Sequence, residues 1–292
     1  GGGPVWVDLD GVDAETATRL LAPLRIHPIA LEDLLTHVNR PKVDPYEHYL
    51  YLVVHSARWE SDHRVALREI DMLIGRNFLV TYREGATRSL DAAHAVLARR
   101  GELLARGPAP LLHFILDVLV DHYLPIIDQV SAELDALEEG VFRSGTQRLQ
   151  ARILRLKRGM AALRRIVGPQ RDTILALTRD EFVAIPAEIR PYLRDVYDRL
   201  ARVSDLLDSY RDEITGLLDL YVSQVSQRLN QVMKTLTVIS TVVLPLTLVT
   251  GYFGMNVKMA VFDWKYGELV VLAVVVLTAT GTIAFLRRRD WL

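Results

Sequence analysis

Thr235-Leu236-Thr237-Val238-Ile239-Ser240-Thr241-Val242-Val243-Leu244-Pro245-Leu246-Thr247-Leu248-Val249-Thr250-Gly251-Tyr252-Phe253 runs directly into Gly254-Met255-Asn256, and the reading of this stretch decides the fold. It has 19 residues, and no charge occurs between Lys234 and Lys258. As an α-helix rising ~1.5 Å per residue it reaches about 28 Å, close to the ~30 Å hydrocarbon core of a bilayer. A second uncharged run, Leu269 to Leu286, has 18 residues and reaches about 27 Å by the same rise. Charge-free runs of this length are rare in soluble cores, so the chain is predicted to cross a membrane twice. Pro245 lies inside the first run, where a kink is expected that membrane helices tolerate.

Arg287-Arg288-Arg289 follows the second run. The positive-inside rule places that end in the cytoplasm. Two spans then return everything before Lys234 to the same side, so both termini are expected to be cytoplasmic, at the inner (plasma) membrane. The connecting loop, Gly254 to Glu268, is external. It sets Lys258 and Lys265 against Asp263 and Glu268, which neither helps nor opposes this orientation. Gly1 to Pro4 carry no basic n-region or apolar h-region, so no secretory signal is expected.

The rest of the 292-residue chain is charged and water-compatible. Its formal net charge of −1 gives no case for nucleic-acid binding, and the absence of cysteine excludes disulfides and thiolate metal sites. Val5 to Leu9 alternates apolar and polar before Asp10-Gly11, which reads as a strand and a turn. Asp8 and Asp10 are taken as strand-end residues rather than as a phosphotransfer aspartate. Asp13 is placed to cap a helix through Leu21, and Pro28 to Leu35 reads as a second short helix. Tyr49 to Ala57, Ala66 to Ile74 and Phe78 to Tyr82 read as strands, giving an α/β domain with a partly antiparallel sheet. Leu111 to about Phe142 is an acidic helix. Thr146 to Val167 is a basic one, ended by Gly168-Pro169, and the two suggest an antiparallel hairpin with complementary faces. From about Glu188 to Phe253 a single helix of roughly 60 residues would span about 90 Å, a stalk leading into the membrane. The predicted organisation is therefore a cytoplasmic α/β domain over residues 1–108, a helical stalk over 109–234, and two transmembrane helices over 235–292.

Along the long helix one set of positions repeats in alternating steps of four and three: Asp219, Ser223, Ser226, Asn230, Met233, Thr237, Ser240, Leu244, Thr247, Gly251. This is a heptad seam, but eight of its ten positions are polar or small. Polar groups facing lipid are costly, so Thr237, Ser240 and Thr247 should face a partner helix or water, while Leu236, Val243 and Leu246 meet lipid or neighbouring helices. Small hydroxylated residues also mediate tight helix packing without a pore, and that reading stays open for the membrane part alone. Asp219 and Asn230 tip the balance. Packing copies of the helix on this seam would bury a ring of identical carboxylates, which is unfavourable unless water or a cation occupies the axis. Two spans cannot enclose a channel, so a homo-oligomer is required. Met233 and Leu244 would form apolar constrictions suited to gating by dewetting.

Gly254-Met255-Asn256 resembles the signature of the CorA family of magnesium and cobalt channels. Arg40-Pro41-Lys42-Val43, Tyr192-Leu193-Arg194-Asp195-Val196-Tyr197-Asp198, Gly216-Leu217-Leu218-Asp219, Leu244-Pro245-Leu246-Thr247 and the basic run before Trp291-Leu292 also resemble that family, in one order along nearly the whole chain. The resemblance implies a homopentameric funnel whose pore is lined by the first transmembrane helix, with membrane lipid and divalent cations as its other partners. It implies Mg²⁺ as both the transported and the regulatory ion, and no prosthetic group. Gly254, Met255 and Asn256 would form the outer selectivity ring, where amide oxygens accept hydrogen bonds from the waters of an ion that dehydrates reluctantly. Asp219, Asn230, Met233, Leu236, Thr247 and Gly251 match pore and gate positions. Asp195 matches one carboxylate of a regulatory magnesium site. Glu60 is the nearest match for its partner, with Asp62 next.

Two departures bear on the ion. Phe253 stands where the family usually has tyrosine before the signature, and Lys258 places a cation near the entrance, which weakens long-range attraction of divalent ions. A zinc transporter of the related ZntB type is one alternative, opposed by Met255. A non-conducting membrane ion sensor is another, opposed by the polar seam. No glycine-rich phosphate loop and no metal-ligand spacing among the eight histidines supports an enzyme. His37, His48, His55 and His63 read as structural or exposed.

Overall fold

The structure, a computed structural model, describes residues 3–36, 40–60, 64–99, 102–144, 147–179, 182–255, 261, 263–289 and 291. Two compact units divide the chain, Gly1–Asp219 and Leu220–Leu292.

The first unit begins with β1 (Val5–Asp10) and α1 (Ala14–Leu21). Asp13 caps α1 as its position predicts, one oxygen accepting from the Thr16 amide at 2.9 Å and the other from the Thr16 hydroxyl at 2.8 Å. A 3₁₀ turn and α2 (Pro28–Thr36) follow, then β2 (Lys42–Pro45), β3 (Tyr49–Trp59), β4 (Val65–Gly75) and β5 (Phe78–Arg83). The strands lie in the order β1-β5-β4-β3-β2. β1 pairs parallel with β5, Val5 opposite Phe78, and every other pairing is antiparallel. At the β4–β5 turn the Phe78 ring packs over Gly75, where a Cβ would lie 2.3 Å from it and force the ring to shift.

The centre of β3 reads Tyr49-Leu50-Tyr51-Leu52-Val53-Val54 and is buried throughout. Continuous burial requires cover on both faces. Tyr49, Tyr51 and Val53 pack with Ala17, Leu21, Ala30 and Leu34 of α1 and α2. The alternate residues face the other side, where α5 (Pro108–Asp121), α6 (Tyr123–Ser144) and α7 (Gln147–Arg179) lie against β3 and β4. Two short helices, α3 (Arg88–Arg99) and α4 (Glu102–Ala105), precede α5. By length and composition the stretch Pro108–Arg143 would suit a membrane, yet half of its most apolar window is buried within the unit. It is a core element: Leu111, Leu112, Ile115, Leu116, Leu119 and Val120 are all essentially inaccessible.

Two expectations are corrected. The acidic helix read as one element over Leu111–Phe142 is interrupted at His122, because Pro125 has no amide to offer the Asp121 carbonyl and its ring crowds that turn. Conversely, Gly168-Pro169 does not end the basic helix. α7 continues to Arg179. An interior proline costs about 3 kcal/mol, and burial of Val167, Gln170, Ile174 and Leu177 on either side offsets it. The Thr173 hydroxyl donates to the Pro169 carbonyl at 2.9 Å. The hairpin of complementary charge is present at one strong point, where Arg152 donates twice to buried Glu133 at 2.9 and 3.0 Å.

α8 (Arg190–Phe253) is a single 64-residue helix, starting at Arg190-Pro191 where a proline needs no helical amide. Its early turns belong to the first unit, where Leu193, Val196, Leu200, Val203, Leu207, Ile214 and Leu217 are buried at heptad spacing. The second unit contains the remainder of α8 and α9 (Gly267–Arg288). Their most apolar windows are 0% and 6% buried by the chain itself. Two apolar helices left bare are suited to lipid or to other copies of the chain, not to water. α9 carries Glu268 in its first turn and Arg287 and Arg288 in its last, both matching the helix dipole.

Candidate functional site

The seam is borne by α8 alone, so its geometry follows from one helix. Asp219, Ser223, Ser226, Asn230, Met233, Leu244, Thr247 and Gly251 are exposed, and Thr237 and Ser240 half-buried. Leu236, assigned to the gate through the family match, is 56% exposed. Among the described residues none buries any of these positions. A Cβ on Gly251 would meet nothing within 4 Å, so no intrachain contact demands a glycine there. Gly254 differs: its amide donates to the Thr250 carbonyl at 2.9 Å, and a Cβ would come within 3.0 Å of that same oxygen. Met255 is exposed at the end of the described helix turn. Asn256, Lys258 and the acidic alternative Asp62 lie outside the described residues, as do His37 and His63.

The membrane threonines carry less of the seam argument than their polarity suggests. Thr237 donates to the Met233 carbonyl at 2.8 Å and Thr247 to the Val243 carbonyl at 2.9 Å. Their hydroxyl protons are satisfied within their own helix, a pattern that lets threonine sit in an apolar setting. α9 does the same with Thr278, Thr280 and Thr282, and no seam was read there. Asp219 and Asn230, whose side chains cannot be absorbed in that way, carry the argument instead.

The same register continues further back than the sequence reading followed it. In steps of three and four from Asp219 it reaches Gly216, Asp212, Ser209, Asp205, Arg202, Asp198 and Asp195, all exposed. An ideal helix drifts by ~20° per heptad from this repeat, so exposure, not spacing alone, defines the face. Five of these positions from Asp195 to Asp219 are aspartates against one arginine. The signal was in the sequence, and extending the repeat by roughly six to seven turns reaches it.

Asp195 itself is 72% exposed and pairs with Arg199 at 3.2 Å. Arg199 also bridges to Asp117 and Asp121 of α5. Burial opposes its charge, but the hydrogen bond to Asp117 and the three surrounding carboxylates hold its pKa above the ordinary arginine value. Asp195 thus belongs to a group of three carboxylates that share one arginine and keep a net negative charge. Glu60 lies 3.8 Å from Arg58 and is about one-third exposed. No contact within the chain joins Glu60 to Asp195, and among the described residues no three carboxylates or imidazoles converge on a metal position. A further acidic group was not anticipated: partial burial, then Asp135 and Glu138 on α6, raise the pKa of Glu213 on α8.

The strand histidine and aspartate have structural settings. His55 is 7% exposed, and burial pushes its pKa down to about 4. Asp8 accepts from the Thr81 hydroxyl at 2.6 Å and from Arg83 at 3.1 Å, and lies 2.7 Å from Nε2 of His94. This network holds β1 to β5 and α3.

An α/β unit followed by two bare apolar helices long enough to cross a bilayer has the composition of a membrane protein, and three comparisons narrow the class. The family described as "CorA-like Mg2+ transporter protein" matches residues 1–288, and the chain belongs to that family. It is 32% identical to the "Cobalt/magnesium transport protein CorA" of Thermotoga maritima over 99% of this chain and 84% of that one. Its fold matches the complete structure of the CorA magnesium transporter from Methanocaldococcus jannaschii with a TM-score of 0.88, at 22% identity, over 99% of this chain and 92% of that one. The cytoplasmic domain of ZntB from Vibrio parahaemolyticus shares the fold of the first unit more distantly, with a TM-score of 0.65 at 15% identity over 77% of this chain and 89% of that domain.

Proposed function

We propose that this chain is one subunit of a divalent-cation channel that admits Mg²⁺, with Co²⁺ and Ni²⁺ as further substrates, down the membrane potential. The observation that carries this reading is the exposed polar face of α8. A helix with apolar residues bare on its other sides has no reason to keep Asp219 and Asn230 on one seam unless that seam meets water or ions. In this reading copies of the chain, five by the family resemblance, assemble around the seam at the inner (plasma) membrane with both termini cytoplasmic. Residues 109–234 serve as the stalk and 235–292 as the pore domain. Gly254, Met255 and Asn256 form the outer ring. Met233, Leu236 and Leu244 narrow the passage, and Thr237, Ser240, Thr247 and Gly251 line it. Cytoplasmic Mg²⁺ bound through Asp195 and Glu60 closes the pore.

Liposomes holding the full chain and an internal indicator dye test this directly. Mg²⁺ entry is expected at low internal magnesium, and its absence would leave a non-conducting ion sensor. Asn256→Ala is expected to stop entry while leaving assembly intact; wild-type flux would remove it from the ring. Asp195→Ala should weaken the protection that Mg²⁺ gives against proteolysis, and unchanged protection would exclude it from the regulatory site. A proton-coupled zinc transporter is the competing reading, opposed by Met255. Zn²⁺ flux that rises with an imposed pH gradient, and exceeds Mg²⁺ flux, would select it.

A further inference from the structure

A small cavity of about 150 Å³ lies in the first unit, between the outer ends of β3 and β4, the start of α3 and the end of α5. Three arginines line it from three elements: Arg58 on β3, Arg68 on β4 and Arg88 on α3. Their charges are weakly spent. Arg58 faces Glu60 only at 3.8 Å, beyond hydrogen-bond reach. Arg68 donates through one nitrogen to the Glu84 carbonyl at 2.8 Å, a neutral partner. Arg88 makes no ion pair with any of the described residues. The one acid on the wall, Asp91, is taken by Arg83 at 2.8 Å. Three guanidinium groups against one carboxylate, which itself shares Arg83 with Asp8 and Asp10, leave the wall with a positive excess.

Two further features point to what would occupy it. α3 is a 12-residue helix, and its first turn opens on this cavity. The leading amides of a helix lack backbone acceptors and carry the positive end of its dipole. Thr87, at the capping position, does not supply the missing acceptor. Its hydroxyl oxygen stands 3.5 Å from Arg83. Ser89, the second residue of the helix, also lines the cavity, is 2% exposed, and has a hydroxyl with no hydrogen-bond partner. Buried polar groups without partners are uncommon and call for a missing partner. Ala57, Ala66 and Leu119 supply the apolar part of the wall, which limits competing water.

We propose that this cavity binds a small phosphate-type oxyanion. Its oxygens would accept from the guanidinium groups of Arg58 and Arg88, from the free amides of the α3 first turn, and from the Ser89 hydroxyl after rotation about its side-chain bond. The volume suits inorganic phosphate or a terminal phosphoryl group, with any larger body left outside. The site is remote in sequence from the α8 seam.

The test uses the full chain in detergent, titrated calorimetrically with inorganic phosphate in magnesium-free buffer at fixed ionic strength. Saturable one-site binding and a phosphate-dependent rise in unfolding temperature are expected. Arg88→Ala and Arg58→Ala should each weaken binding about tenfold or more, and Ser89→Ala severalfold, with phosphate-free unfolding temperatures unchanged. Any variant whose phosphate-free unfolding temperature falls is replaced by Arg88→Gln, which keeps the side chain's bulk and removes its charge. Adenosine monophosphate run in parallel distinguishes the source: tighter binding than phosphate assigns a nucleotide, and equal binding assigns the free anion. Non-saturating heats, binding that survives Arg88→Gln and Arg58→Ala, or equal displacement by chloride at matched ionic strength would overturn the proposal.

Discussion

Along α8 two stretches of the same helix meet opposite fates. From Arg190 to Leu217 an apolar stripe is buried, with Leu193, Val196, Leu200 and Val203 each under 1% exposed. From Val222 onward residues of the same kind are bare: Leu229 is 61% and Leu248 75% exposed. Helical geometry does not change between them. What changes is whether the chain supplies its own partner. The docked stretch is stabilised within one subunit. The bare stretch depends on surroundings that a single chain does not contain, lipid or further copies.

The sharpest way to break this contrast is to truncate matched leucines. Leu200→Ala is expected to cost about 2–5 kcal/mol in chemical unfolding of the detergent-solubilised chain. Leu229→Ala should stay within ~0.5 kcal/mol for the dissociated subunit while lowering the concentration at which subunits remain assembled. Equal costs in the dissociated subunit would erase the distinction.

A proton bears on the stability of the first unit. His55 is held neutral in the folded first unit, with a pKa near 4 against about 6.5 for an unperturbed histidine. A depressed histidine value means the unfolded chain binds the extra proton first. Stability is therefore undiminished above pH 6.5 and falls as pH drops from 6.5 toward 4, by about 3 kcal/mol at most. His55→Gln should flatten that slope. A slope retained in the variant would assign it to other groups.

Arg199 tests whether the docked stretch is held by charge as well as by burial. Arg199→Ala leaves Asp117, Asp121 and Asp195 without their shared cation. A loss of about 1–2 kcal/mol is expected, modest because the group is partly in water. Added Mg²⁺ should recover more stability in the variant than in the parent. Equal recovery would mean that the carboxylates do not act together.

The smallest effect separates two glycines in the bare stretch. Gly254→Ala crowds the Thr250 carbonyl at 3.0 Å, and should raise hydrogen exchange in the last turn by severalfold. Gly251→Ala meets nothing within 4 Å, so exchange should not rise. Any fall in ion flux from that change would come from the seam's surroundings.

Much of this was legible in the sequence because it rests on local rules. Uncharged runs, the Asp13 cap, the strand alternation and the long proline-free stretch each depend on a few adjacent residues. β2, α3 and two single-turn elements, the 3₁₀ turn at Ala22–Leu24 and α4, are missing from the sequence reading. β2 is four residues ending in Pro45, too short to show a period. α3 has a legible helical stripe in Ser89, Leu90 and Ala93, but the strands before it drew the reading away. Gly168-Pro169 misled because tertiary packing overrode a local breaker. For the candidate site, the seam was visible as a spacing. The absorption of the threonine protons by their own helix was not, since spacing alone does not reveal a rotamer's partner. The basic cavity draws its arginines from three separate elements, and no linear pattern brings them together.

β2 pairs with β3 only as far as Val53, opposite Lys42. Beyond that point β3 would present an open edge, the kind of edge that recruits strands from other molecules. His55 shows how it is closed. Its amide donates to the Gln170 side-chain oxygen at 2.7 Å, and its carbonyl accepts from the Tyr123 hydroxyl at 2.8 Å. One amide and one phenol stand in for a missing strand, reproducing both of its hydrogen bonds at a single residue. Removing the phenol oxygen alone, Tyr123→Phe, keeps the ring that fills the core yet reopens one edge carbonyl, and a rise in self-association would be the first sign.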